Sequence, residues 1–215
     1  MQIVKIGAKH FIEEGYTKAT MKRISRELDL SPGNITFYFP TKDHLLGVLI
    51  SELFGFQRLI AEKSVEDKKN PILVYCLELA AIIAICAENE VAKDLYTSAY
   101  ISPYTLDLIK KIGAKRAKSV FGDFCEDFSE GDFEAAEALV SGIEYGALTA
   151  GNETVSLHLV IEKALNAIMT LFRVPELLRM QNTDLVLSLD YKAVGKRILH
   201  EFREYIDNAT ELKEI

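Results

Sequence analysis

The sequence predicts an all-α protein, with a small three-helix unit at its N-terminus and a larger helical body after it. Three observations predict this. Apolar residues recur at helical spacing along nearly all of the 215 residues. No segment sustains period-two alternation between turn signals, so no sheet is expected. Capping residues and helix-stopping glycines and prolines stand at the ends of the periodic runs.

The elements follow in order. Ile3, Val4, Gly7, Ala8, Phe11 and Ile12 make one helical face, and Gly15 is placed to stop that helix. Thr20 suits the N-cap of a short helix with Met21, Ile24 and Leu28 on one face. Asp29 and Leu30 form a turn, and Ser31-Pro32 reads as an N-cap followed by proline at the first helical position. The third helix runs to about Phe39, because Pro40 disfavours helical geometry in the residue before it. Thr41 caps a longer helix through about Ser64, and the polar run 67–71 breaks the chain. Further helices are expected at roughly 71–89, 91–101, 104–127, 132–151, 154–173 and 190–209, while residues 175–190 show no clear period. Residues 1–45 are expected to form the N-terminal unit and 46–215 the body.

The composition, 49% hydrophobic and 27% charged, suits a soluble chain with a real core. The most apolar stretch, 71–87, is interrupted by Glu78 and falls short of the ~20 residues a bilayer span needs, so a buried central helix is expected and no membrane partner. Residues 1–11 hold no continuous apolar run, and no secretory signal is expected. Cys76, Cys86 and Cys125 lack metal spacing and are odd in number, which suits reduced thiols in a cytoplasmic protein. The net charge of -7 is uneven: residues 1–45 carry seven Lys/Arg and five Asp/Glu, leaving 18 basic against 27 acidic in the remainder. A locally basic end on an acidic body can meet phosphates while the body resists non-specific nucleic acid.

Two short helices joined by a tight turn form a helix-turn-helix at residues 20–42. Ile24 and Leu28 face the second helix, Ser25 is small enough for the crossing, and Asp29 tolerates the left-handed geometry of the turn. Ile35 and Tyr38 are expected to anchor the second helix inward. Gly33, Asn34, Thr36 and Phe37 would then point outward. Asn pairs bidentately with adenine, and Thr or Phe packs on a thymine methyl. Gly33 would let the backbone approach closely. Thr20, Lys22, Arg23, Ser31, Tyr38 and Lys42 complete the expected DNA-binding set, most of them by holding phosphates and fixing register.

The stretch 15–46, GYTKATMKRISRELDLSPGNITFYFPTKDHLL, resembles the TetR family of regulators. The resemblance rests on Gly15, Thr20, Ile24, Gly33, Ile35, Tyr38, Phe39, Pro40, Lys42 and Leu45, and above all on the run 38–42, Tyr-Phe-Pro-Thr-Lys. Ser25 stands where the family usually has alanine, Asp29 where it has glycine, and Thr36 where it commonly has a tyrosine that contacts phosphate. The resemblance implies a homodimer that binds a palindromic operator on double-stranded DNA, with usual action as a repressor released by a small-molecule effector.

In the body, Ala138, Gly142, Gly146 and Ala150 stand four apart on one helix, and two glycines inside a helix suggest a close approach that needs them. The next segment, 155–172, offers a broad apolar face that includes Ile161, Leu165 and Ile168. The resemblance implies that these two helices pair with their copies as a four-helix dimer bundle; packing within one chain would use the same stripe. The segments from 72 to 128 are rich in aromatic and sulfur side chains. Tyr75, Tyr96, Tyr100, Phe121 and Cys125 suit either a pocket wall or plain core. Glu78 inside so apolar a helix must reach solvent, pair with a cation or hold a proton, and a ligand cation or a local Lys/Arg would each serve. The cluster Lys110, Lys111, Lys115, Arg116 and Lys118 reads as a solvated helix face.

His10, His44, His158 and His200 are scattered, no phosphate loop follows a strand, and no nucleophile elbow appears. No metal, cofactor or enzymatic activity is expected. A helical dimeric adaptor without DNA binding, or an all-helical enzyme, are the alternative readings.

Overall fold

The computed structural model describes all residues except 1, 67–69, 151–154 and 209–215. Among the described residues it contains α-helices and one short 3-10 helix, with no strand of a sheet. The N-terminal unit is α1 (Gln2–Glu14), α2 (Met21–Glu27) and α3 (Pro32–Tyr38). The body is α4 (Lys42–Ser64), α5 (Pro71–Glu88), α6 (Glu90–Ile101), α7 (Pro103–Phe121), α8 (Glu130–Thr149), α9 (Leu157–Leu171), α10 (Glu176–Ser188) and α11 (Tyr191–Asn208).

The start signals act as their chemistry demands. Thr20, Ser31, Asn70, Asn89, Ser129 and Ser156 each accept a backbone N–H of the first turn of their helix. Thr41 stands at the N-cap of α4, but its hydroxyl meets His44 Nδ1 at 2.8 Å instead of a backbone amide. Gly15 turns out of α1 at φ 91 and Asp29 occupies the left-handed turn at φ 52.

Some expectations need correction. α7 stops at Phe121, short of 127, because Gly122 begins a 3-10 turn (Gly122–Phe124) that carries the chain to Cys125. The unassigned stretch 175–190 is the helix α10. Its pattern is inverted, since Asn182 and Thr183 face inward while Leu177, Met180 and Leu185 face outward. The expected polar break falls largely on residues 67–69, outside the described residues.

α5 is the central helix. It is packed by α4, α6, α8, α9, α10 and α11. α4 and α5 are the two described helices long and apolar enough to cross a membrane, and most of α5 is already covered by its own chain. The crossing of α5 and α11 needs glycine: a Cβ on Gly195 would stand 2.5 Å from the Ala81 carbonyl oxygen. α11 also reaches the N-terminal unit, where Lys5 Nζ donates to the Asp207 carbonyl at 2.5 Å.

Candidate DNA interface and effector cavity

α2 packs on both α1 and α3 and leaves one face of α3 open. Ile24 and Ile35 are fully buried, and Ser25 sits buried at the helix crossing with its hydroxyl donating to the Lys22 carbonyl. Gly33, Asn34, Thr36 and Phe37 are exposed, the last at 80%. Tyr38 does not anchor α3 inward: it is 64% exposed and edge-on to Phe37. Phe39 takes that place, because the chain leaves the helix there in an extended conformation and turns this ring into the core. Tyr38 therefore stands on the same surface as Asn34 and Phe37, free to meet a partner.

Nothing inside the chain demands glycine at position 33. A Cβ there would lie no closer than 3.8 Å from Ser31 Oγ, which is ordinary contact, and the backbone is not left-handed. Ser31 caps α3 at Asn34 N (3.2 Å), and Thr36 Oγ1 donates back to the Gly33 carbonyl at 3.2 Å. Lys22 is exposed at the start of α2, and Thr20, its cap, is exposed as well.

The two other basic residues of the expected set are held by the chain itself. Arg23 forms a two-pronged pair with Glu14 of α1. Lys42 is turned inward, where its ammonium donates to the carbonyls of Tyr16 (2.8 Å) and Ala19 (3.0 Å) and lies 3.8 Å above the Tyr16 ring. Burial lowers its pKa, opposed by Asp43 and Asp94. One donor of the three remains for a phosphate.

The second site is a cavity of about 450 Å³ bounded by α4 to α8. Tyr75, Glu78, Tyr96 and Tyr100 line it as expected. Phe121 and Cys125 do not. Phe121 stacks on Phe172 at 4.8 Å and meets Tyr75 edge-on, while the Cys125 thiol donates to the Phe172 carbonyl at 3.2 Å. The end of α7 and the 3-10 turn after it place them in the aromatic core behind the cavity wall.

Four polar groups that sequence reasoning passed over belong to the cavity: Gln57, Arg116, Glu137 and Glu144. Arg116 is no part of a solvated face. Its side chain is 17% exposed, pairs with the 7%-exposed Glu78, and lies 5.1 Å over the Tyr75 ring. Burial works against the Arg116 cation, and Glu78 outweighs it. The Tyr100 hydroxyl donates to Glu144 Oε2 at 2.8 Å, and the Tyr96 hydroxyl meets Gln57. Burial raises the pKa of both Glu137 and Glu144; their mutual repulsion raises Glu137 further, and the Tyr100 hydrogen bond partly offsets the effect on Glu144. The signal in the sequence was Glu137 and Glu144, seven apart on a helix and hence on one face.

α6 joins the two sites. Tyr96 and Tyr100 face the cavity, while Asp94 on the same helix accepts from Thr17 N (2.8 Å) and Thr17 Oγ1 (2.5 Å) in the loop between α1 and α2. Beyond α6, Tyr104 at the start of α7 stacks on His44 of α4 at 4.2 Å.

The stripe on α8 splits from its expected partner. Ala138, Gly142 and Gly146 are exposed beside Leu139 and Tyr145, Ala150 is half-buried, and a Cβ on either glycine would meet nothing within 4 Å. Ile161, Leu165 and Ile168 are not on a free surface: all three are fully buried in the chain's own core, since the broad apolar face of α9 packs against α5, α8 and α10. No group of three or more His, Cys, Asp or Glu suited to a metal occurs among the described residues.

Residues 3–49 match the family described as bacterial regulatory proteins, tetR family. The HTH-type transcriptional regulator HbdR of Aromatoleum sp. (strain CIB) is 28% identical over 111 residues, 52% of this chain and 47% of that protein. The match thus spans about half the length of the curated relative. Among solved structures, a gamma-butyrolactone receptor (ArpA like protein) is 15% identical, with 93% of this chain and 95% of the other covered at a TM-score of 0.41.

Proposed function

We propose that this chain, whose N-terminal segment belongs to the tetR family of bacterial regulatory proteins, is a cytoplasmic DNA-binding transcriptional regulator, a repressor released by a small molecule. The observation that carries the reading is α6, which presents Tyr96 and Tyr100 to the cavity and Asp94 to the DNA-binding unit. Residues 1–45 read DNA, residues 46–215 bind effector and partner, and α4 runs unbroken between them.

In this reading α3 enters the major groove, with Asn34, Thr36 and Phe37 against base edges and Gly33 allowing close approach. Ser31, Thr20, Lys22, Tyr38 and the remaining donor of Lys42 hold phosphates. A two-fold dimer sets two such helices on a palindromic operator. The exposed small-residue stripe of α8 supports a face where a second copy packs closely, with Leu139 and Tyr145 at its margin.

A ligand that fits the cavity only when α6 has shifted pulls Asp94 and the α1–α2 loop with it. The two reading helices then no longer match the half-site spacing. The ligand must bind the released state more tightly, and linkage requires that DNA weaken ligand binding by the same factor. Nothing in this scheme needs catalysis.

The test is fluorescence anisotropy of the purified chain on DNA from upstream of its own gene, across a salt series, with scrambled DNA as control. Tight binding to that DNA alone with a steep salt slope is expected. A folded dimer that fails to bind any duplex at low salt would overturn the reading in favour of a helical adaptor.

A further inference from the structure

The charges inside the cavity do not balance. Glu78, Glu137 and Glu144 line it against one buried cation, Arg116, and Arg116 is already paired with Glu78. Two other cations border the cavity, but they sit at its mouth: Lys115 is exposed, and Arg58 is 54% exposed and paired with Glu62. Glu144 keeps only the Tyr100 hydroxyl, and the Glu137 carboxylate has no hydrogen-bond or ion-pair partner among the described residues although it is only 4% exposed. Buried carboxyl groups are stable only when paired or protonated. A cavity that keeps two of them without a cation must hold them at least partly protonated, and a bound cation would let them charge.

The walls complete the description. The rings of Tyr75 and Tyr96 and the apolar side chains of Leu79, Ile82, Ile109 and Leu148 surround the carboxyls. Aromatic faces attract a desolvated cation and cover an apolar body equally well. An anionic ligand would find its only buried counter-ion spent on Glu78 and would face two further carboxyls.

We propose that the effector cavity recognises an organic cation, a molecule with a protonated amine or quaternary ammonium set between Glu137 and Glu144 and an apolar body against the tyrosines. This inference rests on the reading of the cavity as the effector site and names its ligand class. Near pH 7 burial and the neighbouring Glu144 hold Glu137 as a neutral acid, while burial and Glu78 leave Glu144 partly protonated against the opposing pulls of the Tyr100 hydrogen bond and Arg116. The arriving cation stabilises the carboxylate form and displaces up to one proton for its one positive charge, so binding releases a proton to solvent and strengthens as pH rises. Tyr75 and Tyr100, the other titratable groups facing the pair, have pKa values raised by burial and remain neutral in this range.

The test uses three probes of similar shape on the full chain: 4-phenylbutylamine, 4-phenylbutanol and 4-phenylbutyrate. Isothermal titration near pH 7 in buffers of different ionisation enthalpy reads affinity and proton release together. The amine is expected to bind tightest, with net proton release, and the carboxylate weakest. Glu137→Gln and Glu144→Gln, which mimic the neutral acids and should not lower the melting temperature, are expected to weaken the amine about tenfold or more while leaving the alcohol unchanged. The proposal is overturned if the alcohol or the carboxylate binds as well as the amine, if amine binding releases no proton, or if the amine fails to bind at millimolar concentration. The proton count needs no variant, so it decides the matter even if the substitutions impair folding. The regulator reading is tested apart, by adding each probe to the DNA complex. An amine that binds the cavity but leaves DNA binding intact refutes effector release and not the ligand class. A carboxylate that binds and releases DNA refutes the ligand class and not effector release.

Discussion

Replacing Arg116 with methionine removes the one buried cation of the cavity and should be among the most damaging single changes in the body. Methionine keeps most of the side-chain length and apolar contact, so the cost is electrostatic. Glu78, 7% exposed, is then left in the cavity wall without its partner. Breaking a buried pair from one side typically costs ~3–5 kcal/mol. Loss of the Arg116–Tyr75 contact adds about 0.5–1 kcal/mol. Urea denaturation of both proteins reads the difference, provided the slope with denaturant is unchanged. Adding Glu78→Leu to Arg116→Met should recover most of the loss at every pH, because no stranded charge remains. A single variant within about 1 kcal/mol of wild type at pH 7 would refute the claim that Glu78 depends on Arg116.

Four more outcomes follow from the geometry. Gly33→Ala should leave the melting temperature unchanged or slightly raised, since a Cβ there makes only an ordinary contact with Ser31 Oγ at 3.8 Å, yet weaken binding to specific DNA; equal DNA affinity would remove the close-approach argument. Asp94→Ala gives up two hydrogen bonds to Thr17, and ligand-driven release from DNA, measured by anisotropy, should become about tenfold less effective while basal DNA affinity changes little. Asp29→Gly relieves a non-glycine residue at φ 52 and should stabilise by about 0.5–1 kcal/mol in thermal melts, with a loss of stability counting against the backbone account. Glu137 and Glu144 have folded-state pKa values above 4.5, so their contribution is complete below that value and is lost as pH rises; stability should fall from pH 5 to pH 8, by up to about 1.4 kcal/mol per unit for each group, and the Gln variants should flatten the slope. The surface carboxylates Glu14, Glu88, Asp107 and Asp132, held low by their hydrogen-bonding partners, act with the opposite sign only below their ordinary values.

Local chemistry was readable wherever a short stretch of sequence decides it. Thr20, Ser31 and Gly15 each act through neighbours within three or four positions, and so the helix-turn-helix was legible nearly residue by residue. Tyr38 was misplaced because Ile35 allows an inward partner either three or four positions on, and the extended exit of the chain chose Phe39. The helix α10 was missed for a different reason: its inward face carries Asn182 and Thr183, with Asn182 accepting from Asn70 across 112 positions, and no local apolar stripe announces that. The cavity was half legible. Glu78 drew notice as a charge in an apolar helix, but its partner Arg116 looked like one of five basic residues on a wet face, and only the packing of α7 against α8 distinguishes it. Ile161, Leu165 and Ile168 show the same limit from the other side, since an apolar stripe says that something covers it but not which chain.

The crossing of α5 and α11 carries a consequence for how the chain is made. α5 is the most apolar helix, and its close partner at Gly195 comes from α11, which ends about 120 residues after α5 does. At ribosomal speeds of about 5–20 residues per second, α5 is synthesised roughly 6–24 seconds before the last turn of α11. For that interval a helix with the length and apolarity of a membrane span stands without its final cover. Contacts so distant in sequence also form late, after a large loss of loop entropy. The nascent chain is thus most vulnerable to aggregation or misrouting until α11 has been made, and changes that slow translation of residues 89–190 should lower the yield of folded protein without altering its final stability.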